Sequence, residues 1–393
     1  MIGGTASRPS GPPLDQWQTA GHLAWSMQNI AAFLPVHAIP RGVRATAFGA
    51  APQDLSPLTL THPWEERTLT FAEVMGATNT DGWIVTKDGA IVGESYTEPM
   101  TQASVHLLMS VSKSLTTATA GTLIGAGELD ATRPVADYVP ALATSGYVGA
   151  RVQDLMDMRT GIHFSEDYLD DTAEVRLLEE AIDWAPRRHE GVAGTLLGFL
   201  ASLHADREHG GRFDYKSCET DVLGFVIEGA SGRHAADVMS ERLWQPMGAE
   251  RDAHVGVDSA GEGMFDGGVS ATLRDLARFG SLFLRDGYAL DGVPVLPPAW
   301  VADTVAGASD SREAFAAATE PTLMPGGMYR NGFWFPRAGA DVFLALGIHG
   351  QMVYVNRAAR VVAAKLSTWP LPQDGAKLLS TIAAFDAAAW ALS

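Results

Sequence analysis

The chain has 393 residues, of which 46% are hydrophobic, enough for a large core in two domains or one complex domain. Its 46 acidic and 28 basic residues give a net charge of −18, which disfavours nucleic acid and anionic membrane surfaces as partners. The single cysteine, Cys218, excludes an internal disulfide, and there is neither a signal-peptide pattern nor an apolar run of about 20 residues. These features indicate a soluble cytoplasmic protein.

The first third of the chain predicts an arm, a hairpin and a helix. Residues 1–80 are rich in Pro, Gly and Thr, and we expect an irregular arm there. Segment 82–97 alternates apolar and polar residues around Asp88-Gly89, which predicts two antiparallel strands because Asp-Gly between apolar runs is a strong hairpin signal. From Ser110 to about Gly127 apolar residues recur at helical spacing, so Ser110 lies in the first turn of a predicted helix.

The rest of the chain is first helical and then rich in strands. Helical patterns occupy 170–184, 192–205, 219–230, 234–245, 272–286 and 373–391, and β-prone runs occupy 332–336, 342–348, 352–356 and 361–368. This order predicts an α/β (α+β) fold in which residues 1–128 and 285–393 form one α/β domain. Residues 129–284 would form a mostly helical inserted domain, and the cleft between the two is the expected active site.

The segment Ser110-Val111-Ser112-Lys113 is the first candidate for chemistry. Positions i and i+3 share one face of a helix, so the Lys113 amine can approach the Ser110 hydroxyl and, if desolvated, take its proton. The alternative is an N-cap serine followed by a solvated lysine. Apolar residues on both sides of Ser110 argue against that alternative, because they predict a buried first turn in which the lysine needs a partner.

Two further segments carry candidate groups. Segment 213–217 is predicted to be a strand-like piece before a helix. Tyr215, which lies beside a lysine, can serve as a general acid or base. The alternative for Tyr215, as for Tyr168, is a buried aromatic residue whose hydroxyl has a hydrogen-bond partner. Leu346 to Gln351 has glycines within a strand pattern, which often mark the close approach of a ligand. An exposed edge strand there could give a backbone N–H to an oxyanion.

These motifs, in this order and spacing, resemble those of the penicillin-recognising serine hydrolases, the group of class C β-lactamases, DD-peptidases and family VIII esterases. Supporting pieces lie at 155–162 and 267–280. Within the group the chain is most similar to the 6-aminohexanoate-dimer hydrolases, which act on nylon oligomers. The shared motifs are LLMSVSKSL (107–115), EDY (166–168), RRH (187–189), TDVL (220–223), GIHGQ (347–351) and LS-x-WP (366–370).

The resemblance implies a β-lactamase/DD-peptidase-like fold and a role for each matching residue. Ser110 would be the nucleophile, Lys113 its proton acceptor and Tyr215 the residue that relays the proton to the leaving amine. The N–H groups of Ser110 and Ile348 would form the oxyanion hole. The resemblance also implies five residues on the substrate side. Tyr168 would hydrogen-bond the scissile amide nitrogen, and Glu179 and Asp266 would suit an ammonium end of the substrate. The other two are Ser217 and His349.

The chain departs from the β-lactamases at two places. Ala345-Leu346-Gly347 replaces their Lys-Thr-Gly, and Ser217 replaces the asparagine of Tyr-x-Asn, so efficient β-lactam turnover is not expected. Competing signals are weak, because the His204 to His209 segment lacks metal-site spacing and the lipase-type Gly-x-Ser-x-Gly elbow does not occur.

The sequence therefore predicts a serine hydrolase that cleaves short linear amides, with 6-aminohexanoate-dimer-like substrates preferred and short esters as side substrates. The partner is a small molecule, and no metal or cofactor is required. Rival interpretations are a plain carboxylesterase, a DD-peptidase and a non-catalytic binding protein on the same fold. The sequence leaves the oligomeric state open, with a homodimer as one option.

Overall fold

The computed structural model describes residues 11–318 and 323–393. The α-helices are α1 Leu23–Gln28, α2 Ile30–Phe33, α3 Phe71–Ala77, α4 Val111–Ala126, α5 Val152–Met156, α6 Glu174–Ala181, α7 Leu196–Ser202, α8 Cys218–Ser231, α9 Ala235–Met239, α10 Leu273–Leu284, α11 Pro298–Ala306, α12 Ser311–Ala316 and α13 Gly375–Ala391. The strands are β1 Val36–Ile39, β2 Gly49–Ala50, β3 Thr59–Thr61, β4 Thr68–Thr70, β5 Thr80–Lys87, β6 Ala90–Tyr96, β7 Val105–Leu107, β8 Ala253–Gly256, β9 Val269–Thr272, β10 Met328–Arg330, β11 Phe333–Phe335, β12 Val342–Gly347, β13 Gln351–Asn356 and β14 Val361–Ser367.

The main sheet has the strand order β10-β11-β12-β13-β14-β5-β6-β2, and only the short β2–β6 pair in it is parallel. The predicted hairpin is confirmed as β5 and β6. Asp88 and Gly89 have φ angles of 52° and 83°, as a tight two-residue turn of this hand requires. The C-terminal strands and the N-terminal hairpin therefore meet in one sheet, which confirms the predicted α/β class.

Both faces of this sheet are buried under helices. Val353 and Val362 point to one face and lie against Gly280 of α10, where an added Cβ would be 3.1 Å and 2.6 Å from their methyl groups. Tyr354 points to the other face and packs on Phe385 of α13, with ring centroids 5.8 Å apart. Apolar residues at consecutive strand positions thus serve two cores, which explains why these strands read as continuous apolar runs.

A second sheet, in the order β1-β8-β9-β7, leads the chain to the start of α4. The sequence did not predict β8 and β9, because Ala253–Gly256 and Val269–Thr272 are short and contain His, Ser, Thr and Gly rather than an alternating pattern. The expectation of an irregular arm is wrong for residues 23–77, which hold α1 to α3 and β1 to β4. Strand β1 gains its order from β8, more than two hundred residues further on, and such long-range pairing leaves no local signal. Residues 1–10 of the predicted arm lie outside the described part.

In segment 129–284 most of the regular structure is helical, and α6 and α7 are shorter than the patterns predicted. The strand predicted near Tyr215 is wrong: Phe213 and Asp214 donate to backbone oxygens of Ala314 and Met158 at 3.0 and 2.9 Å rather than to a ladder. Among the described residues no helix is long and apolar enough to cross a membrane. The division into an α/β domain and an inserted domain stays a prediction.

Candidate active site

Ser110 immediately precedes α4 and is the start of the candidate site. Met109 before it has a φ of 47°, which turns the chain from β7 into the helix. The Ser110 side chain makes no capping hydrogen bond, so the N-cap alternative is not observed. Lys113 is 1% exposed, and its Nζ lies 2.8 Å from Ser110 Oγ. The predicted burial and pairing of this lysine are therefore present in the structure.

Lys113 Nζ has two other hydrogen-bond acceptors. It donates to Ser217 Oγ at 3.1 Å and to the backbone oxygen of Asp266 at 2.8 Å. The Asp266 carboxylate is 3.7 Å away, and the Tyr215 ring centroid is 5.2 Å away. Residues far apart in the chain thus converge on one amine and hold it against the Ser110 hydroxyl.

Two buried carboxyl groups lie behind Lys113. Asp266 is 4% exposed, and its backbone N–H donates to Asp221 Oδ1 at 3.0 Å. Burial, and then the neighbouring Asp266, raise the pKa of Asp221 well above its usual value. Burial therefore favours the protonated form of Asp221. Asp266 therefore lies next to Lys113 rather than on an open substrate surface.

Tyr215 is half-buried between the Lys113 amine and an aromatic wall. Its ring lies 5.2 Å from Trp334 and 6.2 Å from Tyr329, centroid to centroid. Burial raises its pKa well above the usual value, partly opposed by a hydrogen bond with Ser110. Its phenol keeps its proton at neutral pH and can donate it. The adjacent Lys216 points elsewhere, to Thr160 O at 3.2 Å and to Asp214 at 3.0 Å.

The strand β12 passes directly beside the residues that precede Ser110. A Cβ on Gly347 would lie 2.5 Å from the backbone oxygen of Leu108, so only glycine allows this approach. Ser110 precedes α4 and Ile348 opens a 3₁₀ turn, so neither N–H has an intrahelical acceptor. Both could bind an oxyanion, as predicted. Strand β12 lies between β11 and β13 in the sheet, but β11 pairs with it only at Leu344, so the Gly347 end of β12 has Leu108 rather than a strand on that side.

Tyr168 is connected to this cluster through Glu166. The Tyr168 hydroxyl donates to Glu166 Oε2 at 2.5 Å, and Glu166 Oε1 accepts the backbone N–H of Ser217. Burial raises the pKa of Glu166 and, more strongly, that of Tyr168. Ser217 bonds Lys113 through its hydroxyl, so it supports the lysine as well as bordering the predicted substrate side.

Glu179 does not present a free carboxylate. Its two oxygens accept from Arg176 Nη1 at 3.0 and 2.9 Å, and one accepts from Gln18 Nε2 at 2.7 Å. Glu179 and Arg176 also line a cavity of about 280 Å³ whose wall includes Trp17 but none of Ser110, Lys113 and Tyr215. An incoming ammonium would have to share this carboxylate with Arg176. The predicted contact of Glu179 with substrate stays a prediction.

His349 lies in the wall of the site. It is 1% exposed, and its Nδ1–H donates to the backbone oxygen of Trp369 at 2.7 Å. Its main-chain N–H donates to Pro372 O at 2.8 Å, and burial lowers its pKa to about 4. The neutral imidazole therefore braces the turn that carries Ile348. This placement favours a structural role over the predicted contact with substrate.

Sequence reasoning assigned no role to Glu166, Asp221, Arg176 or Trp334. Glu166 and Asp221 stand inside the EDY and TDVL motifs, and that position was the available signal. Arg176 and Trp334 belong to no noted motif. Among the described residues no group of three or more His, Cys, Asp or Glu has the geometry of a metal site.

The fold and its cluster of a serine, a lysine and a tyrosine can be compared with known protein families. The family described as Beta-lactamase matches residues 69–387. The chain therefore belongs to the β-lactamase family and is a hydrolase with the β-lactamase/DD-peptidase-like fold, which confirms the prediction of fold and family.

Individual relatives within the family show a more specific similarity. The chain is 35% identical over 361 residues to the 6-aminohexanoate-dimer hydrolase of Paenarthrobacter ureafaciens, covering 92% of this chain and 89% of the relative. It also resembles a solved structure from Bacillus anthracis, provisionally described as a 6-aminohexanoate-dimer hydrolase, with 22% identity, a TM-score of 0.88 and coverage of 98% and 99%. A family VIII carboxylesterase has 15% identity, a TM-score of 0.61 and coverage of 81% and 96%. At these identities the two structures support the fold alone.

Proposed function

We propose that the protein is a serine hydrolase that cleaves short amide bonds through an acyl-enzyme, with Ser110, Lys113 and Tyr215 as its catalytic residues. The observation that carries the proposal is the 2.8 Å contact between the buried Lys113 amine and Ser110 Oγ. A neutral amine at that distance can take the hydroxyl proton as the oxygen attacks.

In the proposed reaction Ser110 Oγ bonds to the amide carbonyl carbon while Lys113 takes the proton. The oxyanion is stabilised by the N–H groups of Ser110 and Ile348, near the positive end of the α4 dipole. Tyr215 then donates its proton to the amide nitrogen and takes the proton held by Lys113 in return, the C–N bond breaks and the amine leaves. Water attacks the resulting ester and releases the acid, which restores the Ser110 hydroxyl.

The substrate class that we propose is linear ω-amino-acid amides of the 6-aminohexanoate-dimer type. The 35% identical relative carries that activity in its name. Tyr168 adds support, because its hydroxyl is linked through Glu166 and Ser217 to the catalytic lysine and could bond the scissile nitrogen. Ala345 stands where β-lactamases have a lysine, so we expect little β-lactam turnover.

A carboxylesterase is the second candidate, and the Arg176 and Gln18 contacts of Glu179 favour it, because they occupy the carboxylate predicted to bind an ammonium. The deciding experiment assays 6-aminohexanoate dimer and p-nitrophenyl acetate side by side, with Ser110→Ala as the control. We expect turnover of both by the wild type and of neither by the variant. Ester turnover without detectable dimer turnover would leave the esterase alone.

A further inference from the structure

Arg176 joins three separate segments beside the candidate site. Its Nε and Nη2 both donate to the backbone oxygen of Tyr168, at 3.0 and 2.5 Å, and its guanidinium carbon is 5.7 Å from the centre of that ring. Its Nη1 donates to both carboxylate oxygens of Glu179 and to Gln18 Oε1 at 3.4 Å. A planar guanidinium can make this fork, whereas a lysine amine cannot.

The segment around Tyr168, whose backbone Arg176 contacts, has few buried side chains. Asp167, Leu169 and Asp170 on either side of Tyr168 are exposed, Leu169 at 78%. The Tyr168 ring itself packs on the core only in part. The conformation of this loop therefore depends on polar contacts, which are local hydrogen bonds to Asp167 and Asp170, the Arg176 fork on the backbone and the Glu166 carboxylate at the hydroxyl.

Tyr168 is thus fixed at both ends. Its hydroxyl reaches Glu166, which accepts from the N–H of Ser217, whose own hydroxyl accepts from Lys113. Its backbone is fixed to α6 by Arg176. A shift of the backbone would move the phenol relative to the nucleophile, and errors of about 1 Å at a reacting centre can cost about 10²-fold in rate.

We propose that Arg176 is a positioning residue that sets Tyr168 for amide cleavage, and that Glu179 and Gln18 act by holding the Arg176 guanidinium. The inference rests on the proposed function, because it assumes that the Tyr168 hydroxyl bonds the scissile nitrogen. It assigns the Glu179 carboxylate to Arg176 rather than to the substrate. Amides need that hydrogen bond more than esters do, so Arg176 sets the ratio of amide to ester turnover.

The first test is a double-mutant cycle of Arg176→Gln with Tyr168→Phe, measured on 6-aminohexanoate dimer and p-nitrophenyl acetate. Arg176→Gln should lower kcat for the dimer about tenfold or more and change ester turnover by less than about threefold. In the Tyr168→Phe background it should no longer change the amide-to-ester ratio. Arg176→Lys should recover only part of the loss, and Arg233→Gln, which removes an exposed arginine 2.5 Å from Glu241, should change neither rate.

An equal loss on both substrates, or an undiminished effect in the Tyr168→Phe background, overturns the positioning role. Thermal unfolding and circular dichroism check that each variant folds. If Arg176→Gln does not fold, Glu179→Gln tests the positioning role instead. It keeps Arg176 but weakens the hydrogen bonds that hold its guanidinium. The ratio of amide to ester turnover should then fall, by a smaller factor than in Arg176→Gln. Absence of dimer turnover in the wild type contradicts the proposed function itself, whereas wild-type turnover with an unshifted ratio contradicts only the role of Arg176.

A second comparison separates the two roles for Glu179. The dimer and its N-acetylated form differ only in the charge of the amine end. If Glu179 acts through Arg176, Glu179→Gln lowers turnover of both by the same factor. A loss confined to the free-amine dimer overturns the assignment and returns Glu179 to the ammonium site.

Discussion

Replacing Lys113 with methionine removes the proposed base and changes little else in volume. Met is flexible and of similar length, so the cavity cost is small. The loss of a positioned base costs about 10² to 10⁴ in rate, and we expect about 10³-fold in kcat, or about 4 kcal/mol of barrier. The variant also leaves the Ser217 hydroxyl and the backbone oxygen of Asp266 without the amine that donates to them at 3.1 and 2.8 Å. A buried polar group left without its hydrogen-bond partner costs about 1–3 kcal/mol of folding stability.

The assay combines turnover of both substrates with urea unfolding of the wild type and the variant. Lys377→Met, at a partly exposed position near Asp374, is the matched control and should change the free energy of unfolding by less than about 1 kcal/mol. A folded Lys113→Met enzyme within tenfold of the wild-type rate would refute the role of the lysine as base.

Three further predictions follow from the same geometry. Tyr215→Phe should lower kcat on the dimer by about 10²-fold or more and affect p-nitrophenyl acetate less, because an alcohol leaves with less protonation; equal losses would argue against proton relay. Gly347→Ala should push β12 away from Leu108, which should cost about 1–3 kcal/mol of folding stability and about 10²-fold in kcat on both substrates, and an unaffected rate would argue against Ile348 as an oxyanion donor. Burial lowers the pKa of Lys365 from 10.5 to about 7. Between these pH values the unfolded chain binds more protons than the folded protein, so the free energy of unfolding rises with pH, by at most about 1.4 kcal/mol per pH unit. Lys365→Met should remove that rise between pH 7 and pH 9 in urea unfolding, and an unchanged slope would contradict it.

Local sequence patterns predicted those contacts of the site that form between residues close together in the chain. Ser110 and Lys113 are one helical turn apart, so their contact follows from helix geometry. The contact between Lys113 and Asp266 spans 153 positions, and no local pattern encodes it. Arg176 is only three residues from Glu179, yet its effect on Tyr168 depends on a loop whose conformation the sequence does not show. Free acids were therefore expected on the substrate side where the structure has paired ones.

The same contrast holds for the fold. The Asp88-Gly89 turn fixes the hairpin locally, and the pattern at 373–391 was long enough to predict α13 closely. Strands β1, β8 and β9 are each four residues long. Because β1 pairs with β8 and β7 with β9 across long stretches of chain, their order depends on tertiary contacts.

The central claim is that Ser110 is a nucleophile activated by Lys113. The most direct measurement is labelling of the folded protein with a fluorophosphonate, followed by mass spectrometry of the modified peptide. The account predicts one adduct, on Ser110, which is abolished in Ser110→Ala and slowed strongly in Lys113→Met. No labelling of the folded wild type, or an adduct on another serine that persists in Ser110→Ala, would contradict it.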